Sequence, residues 1–130
     1  MSRMAPTSHD LALRYLLELS SDIRLAFLWA RDGELVASAP GGSRERIVEL
    51  GAELVREADV SFPPGDGSAL ELDVGCEGGA VFLIRDGDMT MLCITERAVL
   101  PGLIFYDMHA VLRDLERAAH AEERRGATAL

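Results

Sequence analysis

Two short segments that are apolar on both faces of a β-strand constrain the fold of this chain more than any other feature. Residues 23–30 alternate large apolar side chains with a second face that is also mostly apolar, and residues 80–85 are apolar on both faces as well. A strand of this kind belongs in the interior of a sheet that is covered on both sides. The sequence therefore predicts a sheet that lies between two layers of helices.

Glycine-containing turns divide the strand-forming sequence into short antiparallel neighbours. Gly33 follows Asp32, Gly78 follows Glu77, and Gly87 lies between two aspartates. Glycine at such positions accepts the positive φ that tight hairpin turns require. The strands predicted between these turns cover residues 23–30, 35–39, 69–76, 80–85 and 89–95. The pattern indicates one hairpin followed by a three-stranded meander.

Three segments with apolar residues at helical spacing complete the chain. The first ends at residues 20–22, the second runs from an N-cap at Ser43 to about Asp59, and the third begins at Pro101 and carries its stripe to Ala118. The expected order is α-β-β-α-β-β-β-α, an α+β fold with a five-stranded antiparallel sheet and helices on both faces. The length of 130 residues predicts one domain over 8–119, with flexible termini at 1–7 and 120–130.

The third predicted strand has the pattern of a sheet edge. Leu70, Leu72 and Val74 share one face, and Glu71 and Asp73 share the other. This alternation is typical of a half-solvated strand, and an exposed edge invites pairing with another strand unless it is covered. Two copies aligned edge to edge would satisfy this requirement. The alternative is that the two acidic residues simply keep a monomer soluble.

The second predicted helix carries two apolar stripes where one would suffice to cover a sheet. Ile47, Leu54 and Ala58 belong to one stripe together with Gly51, and the other stripe consists of Val48, Ala52 and Val55. Small residues near the middle of this arc suggest a second helix that approaches closely. The alternative is a helix that is deeply buried in its own domain.

The composition excludes several classes of function. The net charge is −9 and all 13 basic residues are arginine, so the acidic surface argues against nucleic-acid binding. The absence of lysine removes Schiff-base chemistry and the phosphate-loop lysine. No segment approaches the roughly 18 apolar residues of a membrane helix, and the N-terminus lacks the apolar core of a signal peptide. These features predict a cytoplasmic protein that does not insert into membranes.

The residues that commonly carry catalysis or bind metals do not form a recognisable constellation. His9, His109 and His120 fall on or beside helices, far in sequence from Cys76 and Cys93. The Asp-Gly pairs are better explained as turn formers than as a calcium loop. The sequence therefore predicts no catalytic residue, no metal site and no cofactor, with the two cysteines as small buried side chains.

One hairpin carries a resemblance to a known family. The segment from Ala26 to Ser38 resembles the first hairpin of the Roadblock (dynein light-chain type) domain, in its bacterial MglB-like branch, because an apolar strand is followed by Asp-Gly and a Leu-Val-Ala-Ser return. Residues 47–58 match the following helix, and residues 80–95 match the late strands. The similarity spans about residues 10–118 and implies a roadblock/profilin-like fold.

The resemblance implies a non-catalytic homodimer that regulates a small Ras-like GTPase. MglB-like members stimulate hydrolysis by reshaping the active site of the GTPase, and they supply no arginine finger. We expect the dimer interface to contain Val48, Gly51, Ala52, Val55, Leu70, Leu72 and Val74. We expect the partner to meet Arg44, Arg46, Glu49, Glu53 and Arg56, although these charges also fit a solvated, self-paired helix face.

Two other functions fit the same sequence. The first is a structural adaptor in a signalling or motor complex that has no effect on nucleotide state. The second is a small-molecule sensor with a pocket beneath the face of the sheet that contains Trp29.

Overall fold

The structure, a computed structural model, describes residues 8–40, 45–61, 70–97 and 99–128. Its elements follow the predicted order: α1 Ser8–Leu19, β1 Ile23–Trp29, β2 Leu35–Ala39, α2 Glu45–Ser61, β3 Leu70–Cys76, β4 Gly79–Asp86, β5 Met89–Thr95 and α3 Pro101–Thr128. The predicted α+β fold is confirmed. The N-cap assigned to Ser43 lies outside the described residues.

The five strands form one antiparallel sheet in the order β2-β1-β5-β4-β3. The two segments that are apolar on both faces, in β1 and β4, are interior strands, as their pattern predicts. The alternating segment is β3, and it lies at the edge. Gly33, Gly78 and Gly87 all have positive φ, which confirms the three predicted turns.

Two separate hydrophobic cores hold the helices to the two faces of the sheet. One core joins α1 and α3 to residues such as Ala26, Phe82 and Cys93. The other joins α2 to Phe27, Trp29 and Leu92. Burying one large aliphatic or aromatic side chain contributes about 1.5–3 kcal/mol to the stability of the folded state. The interior strands carry apolar side chains on both faces, so each face of the sheet needs a covering layer of helices.

Two details of the fold differ from the sequence-based expectation. Ile23 belongs to the core beneath α1 and α3, whereas Leu25, Phe27 and Trp29 pack on the α2 side. The cause is a register shift between Ile23 and Leu25 in the pairing with β5, because one extra residue transfers a side chain to the other face.

The second difference concerns the C-terminal segment, for which we predicted a flexible terminus over residues 120–130. Instead, α3 continues as a helix through Thr128. Residues 118–125 are alanine, glutamate and arginine with one histidine, and the first three types are strong helix formers. An existing helix extends readily into such a sequence, because adding one residue costs far less than starting a new turn.

A candidate self-association surface

The position of α2 on the sheet is set by a close contact between Gly51 and Trp29. Trp29 is only 2% exposed, and a Cβ atom added to Gly51 would lie 2.9 Å from its Cη2 atom. Gly51 is buried and faces its own sheet, as Val55 and Ala58 also do. The close approach that Gly51 permits is thus made within the chain, where we expected a second helix.

One flank of α2 points towards the β4 side of the sheet. Asp59 forms an ion pair with Arg85 on β4, and Val48, Ala52 and Val55 precede Asp59 at spacings that place all four residues on one stripe of the helix. We call Val48, Ala52 and Val55 the α2 flank. Val48 and Ala52 are half-buried, so part of their apolar surface is still open beyond the sheet contact.

The strand beyond β4 is the edge strand β3. It pairs with β4 along its whole length, from Leu70 opposite Arg85 to Cys76 opposite Gly79. Within the described part of the chain, no strand lies on its other side. Leu70 and Leu72 are half-buried under α2, and Val74 is 47% exposed. The α2 flank and the β3 edge therefore form one partly apolar border of the molecule.

The outer face of α2 is charged and open to solvent. Arg46, Glu49, Glu53 and Arg56, which were predicted to meet the partner, are all exposed, and Arg44 lies outside the described residues. The same face carries Leu50, which is 53% exposed and belongs to neither stripe identified in the sequence. The signal that could have identified Leu50 is its spacing, three residues after Ile47 and four before Leu54.

The face of β3 that we expected to be solvated is partly held by α3. His109 Nε2 lies 2.8 Å from Glu71 Oε2, and the His109 side chain is only 15% exposed. His109 Nδ1 is 3.9 Å from Asp86 Oδ2 on β4. Asp73, on the same face of β3 as Glu71, stays exposed. Sequence reasoning treated His109 as an isolated helical histidine and could not foresee a partner 38 residues away.

A cleft of about 640 Å³ lies where the β1–β2 and β4–β5 turns meet α3. On its wall, Glu116 Oε1 is inaccessible and has no hydrogen-bond partner among the described residues. Burial raises the pKa of Glu116, and the negative charges of Asp86 and Asp88 raise it further, while His120 and Arg113 oppose the shift.

The remaining chemistry-bearing residues form no reactive arrangement in the described ranges. Cys93 is fully buried, and burial raises the pKa of its thiol, which keeps it protonated and unreactive. The side chain of Cys76 lies outside the description. Over those same ranges, no three histidine, cysteine or carboxylate side chains are placed to hold a metal ion. The space expected beneath Trp29 for a small molecule is instead filled by α2 at Gly51.

None of the described helices combines the length and apolar character needed to cross a membrane.

Comparison with known proteins places the fold. No family model matches the chain, and no curated protein sequence is significantly similar to it. Solved structures do match. A Roadblock/LC7 domain from Streptomyces avermitilis is 17% identical with a TM-score of 0.65, over 85% of this chain and 97% of that one. Myxococcus xanthus MglB is 15% identical with a TM-score of 0.66, over 88% and 97%.

A third similar structure is an MglB in a tetrameric arrangement, 17% identical with a TM-score of 0.66, over 93% of this chain and 95% of that one. At these identities the likeness establishes the fold alone. The chain has the roadblock fold of the type found in MglB, as the hairpin and the order of its elements predict.

Proposed function

We infer that this chain is a non-catalytic regulator of a small Ras-like GTPase and that it works as a homodimer joined at the β3 edge and the α2 flank. The observation that carries the proposal is the border at which an edge strand and a half-buried apolar helix flank lie side by side. The chain has the fold of MglB and of Roadblock/LC7 domains, which supports a role as a regulator or scaffold. The tetrameric arrangement of one MglB supports self-association.

A two-fold axis beside β3 would join two five-stranded sheets into one continuous sheet. The backbone groups on the outer side of β3 would then pair with their equivalents in the second copy. On the α2 side, Val48 and Ala52 would meet the same residues of the second copy, and Leu72 and Val74 would lie beneath them. The predicted interface residues Leu70 and Val55 would border this contact, and the buried Gly51 would support it from below.

The paired α2 helices would present a platform for the GTPase. Their outer faces carry Arg46, Glu49, Glu53 and Arg56, with the exposed Leu50 between them. An apolar residue surrounded by charges is the usual composition of a recognition surface. The described residues contain no reactive arrangement, so the chain would act on its partner by contact, and the catalytic groups would be those of the GTPase.

The dimer is tested by replacing Ala52 with arginine. This substitution puts a charge into a close helix contact that has no partner for it, so we expect Ala52→Arg to be monomeric in sedimentation velocity at 50 µM. Glu57→Arg, on the exposed face of the same helix, is the control and should stay dimeric. Val74→Lys tests the strand half of the interface independently. Dimers with unchanged affinity in both Ala52→Arg and Val74→Lys would overturn this interface.

The regulatory role is tested with the Ras-like GTPase encoded nearest to this gene, loaded with either GDP or a non-hydrolysable GTP analogue. We expect the dimer to bind one nucleotide state at least tenfold more tightly and to change the rate of GTP hydrolysis or exchange. A double charge reversal, Arg46→Glu with Arg56→Glu, should weaken that binding while leaving the dimer intact. Binding that ignores the nucleotide state and leaves both rates unchanged would favour the structural adaptor.

A further inference from the structure

The outer side of α1 carries a second apolar surface, on the layer of the molecule opposite to α2. Leu11, Tyr15 and Leu19 are between 48% and 53% exposed, although Leu13 and Leu16 on the same helix are fully buried. The three exposed residues are spaced by four and form one stripe along the outside of the helix. A helix that only covers a sheet needs one apolar side, and α1 has two.

Further exposed apolar side chains lie at the start of α3. His9 in the first turn of α1 lines the same cleft as Ala119 and His120, so α1 and α3 pack in opposite directions. After the end of α1, Asp22 forms an ion pair with Arg97, so this end of the helix lies near the segment that leads into α3. Leu100 and Leu103, which follow in that segment and in the first turn of α3, are exposed. An exposed apolar stripe such as that of Leu11, Tyr15 and Leu19 marks an interaction site more often than a free surface.

The charges beside the α1 stripe indicate what covers it. Arg14 and Glu18 are both exposed and lie on the same flank of the stripe. If a second α1 lies antiparallel across the first, with a two-fold axis at Tyr15, then Leu11 faces Leu19 of the second copy. In the same arrangement Arg14 lies beside Glu18 of the second copy, and the contact occurs twice. The stripe is thus complementary to itself in both shape and charge.

We propose that α1 binds α1 of a second copy in antiparallel orientation, through Leu11, Tyr15 and Leu19 with two Arg14–Glu18 ion pairs at the border. Covering these three half-exposed side chains in both copies removes several hundred Å², less than the roughly 1,200 Å² at which standard specific interfaces begin. The contact is therefore weak and concentration-dependent. It is independent of the β3 edge, so it joins dimers into larger assemblies.

Cysteine cross-linking tests the geometry directly, in a Cys76→Ser background that leaves only the buried Cys93. At 200 µM protein, Tyr15→Cys should give a cross-linked dimer with a short bismaleimide. Leu11→Cys should cross-link poorly with itself but efficiently with Leu19→Cys when the two variants are mixed. Self-linking of Leu11→Cys in preference to Tyr15→Cys, or no link at any of the three positions, would overturn the antiparallel pairing.

Charge exchange tests the ion pairs, with Ala52→Arg added to remove the other proposed dimer. Arg14→Glu places like charges together twice, so we expect it to weaken association about tenfold. The double exchange Arg14→Glu with Glu18→Arg should restore affinity to within about twofold. Glu122→Arg, on the distant part of α3, is the matched control. Failure of the double exchange to restore binding would refute the proposed contact.

The two self-association surfaces are distinguishable by their variants. If the α2–β3 interface is wrong, Ala52→Arg has no effect and the α1 variants still reduce assembly. If the α1 contact is wrong, the Arg14 variants behave as wild type at all concentrations up to several hundred micromolar, while Ala52→Arg still separates the dimer.

Discussion

At the scale of single residues, Gly51 and Gly102 are both helical glycines in opposite environments. A Cβ atom on Gly51 would overlap the buried ring of Trp29, whereas a Cβ atom on Gly102 meets nothing within 4 Å. Alanine gains about 1 kcal/mol of helix propensity in a helix interior, where Gly51 lies, and less in the first turn of α3, where Gly102 lies. At Gly51 the overlap costs about 1–3 kcal/mol, so we expect a net loss of stability there.

The pair of variants gives a simple measurement. Urea unfolding should show that Gly102→Ala raises the free energy of unfolding by about 0.5–1 kcal/mol and that Gly51→Ala lowers it by about 1 kcal/mol. Gly51→Ala should also shift the emission of Trp29. A Gly51→Ala protein as stable as Gly102→Ala would show that α2 can move away from the sheet without loss.

Glu116 gives a second prediction at the residue scale. Its pKa is raised by burial first and then by Asp86 and Asp88, so the folded chain holds this proton more tightly than the unfolded chain does. The folded state therefore loses stability as the pH rises above the ordinary glutamate pKa of about 4.3. Solvent screening keeps the effect below about 1 kcal/mol.

We expect Glu116→Gln to increase the free energy of unfolding at pH 7 and to leave it nearly unchanged at pH 4, where the wild-type carboxyl is neutral. Urea titrations at pH 4, 5.5 and 7 measure this difference. Glu123→Gln, which lines the same cleft, is the control and should have a smaller effect. A Glu116→Gln protein that is less stable than wild type at pH 7 would contradict the assignment.

At the scale of elements, β3 depends on few contacts. It pairs with one strand, and the bond from His109 to Glu71 joins it to α3. A hydrogen bond of this kind contributes about 0.5–1.5 kcal/mol. Removing it should let β3 open more often without disturbing the interior strands β1 and β5.

Hydrogen–deuterium exchange measures that local opening. We expect Glu71→Ala to speed exchange of the β3 amides by roughly 2–10-fold, while the amides of β5 stay as slow as in wild type. Asp73→Ala, on the same face of β3, has no comparable partner in the described contacts and serves as the control. Equal effects of the two variants would mean that the His109 contact does not hold the strand.

The elements also show what the sequence could and could not predict. The alternation of side chains between the two faces of each strand and the glycine turns were enough to identify five strands and to place β3 at the edge, because those signals are local. The bulge that moves Ile23 and the pairing of His109 with Glu71 depend on contacts between distant segments, so no local pattern contains them. The roles of the α2 flank and the charged rim stay predictions, because a single chain does not display its partner.

At the scale of the whole molecule, net charge opposes self-association. Each chain carries −9, so two copies repel each other at low ionic strength. A dimer held by apolar contact and strand pairing should therefore tighten as salt screens that repulsion. We expect the dissociation constant of the α2–β3 dimer to fall severalfold between about 20 and 300 mM NaCl. A dissociation constant that rises with salt would show that ion pairs dominate the interface.

The chain's single tryptophan lies beneath α2, on the side of the helix that faces the sheet. The fluorescence emission of Trp29 therefore reports whether α2 stays packed against the sheet. If a GTPase binds the outer face of α2 and the Trp29 emission spectrum stays unchanged, then α2 does not move on binding. A red shift on docking would mean that the helix lifts and admits water, so that recognition alters the platform itself.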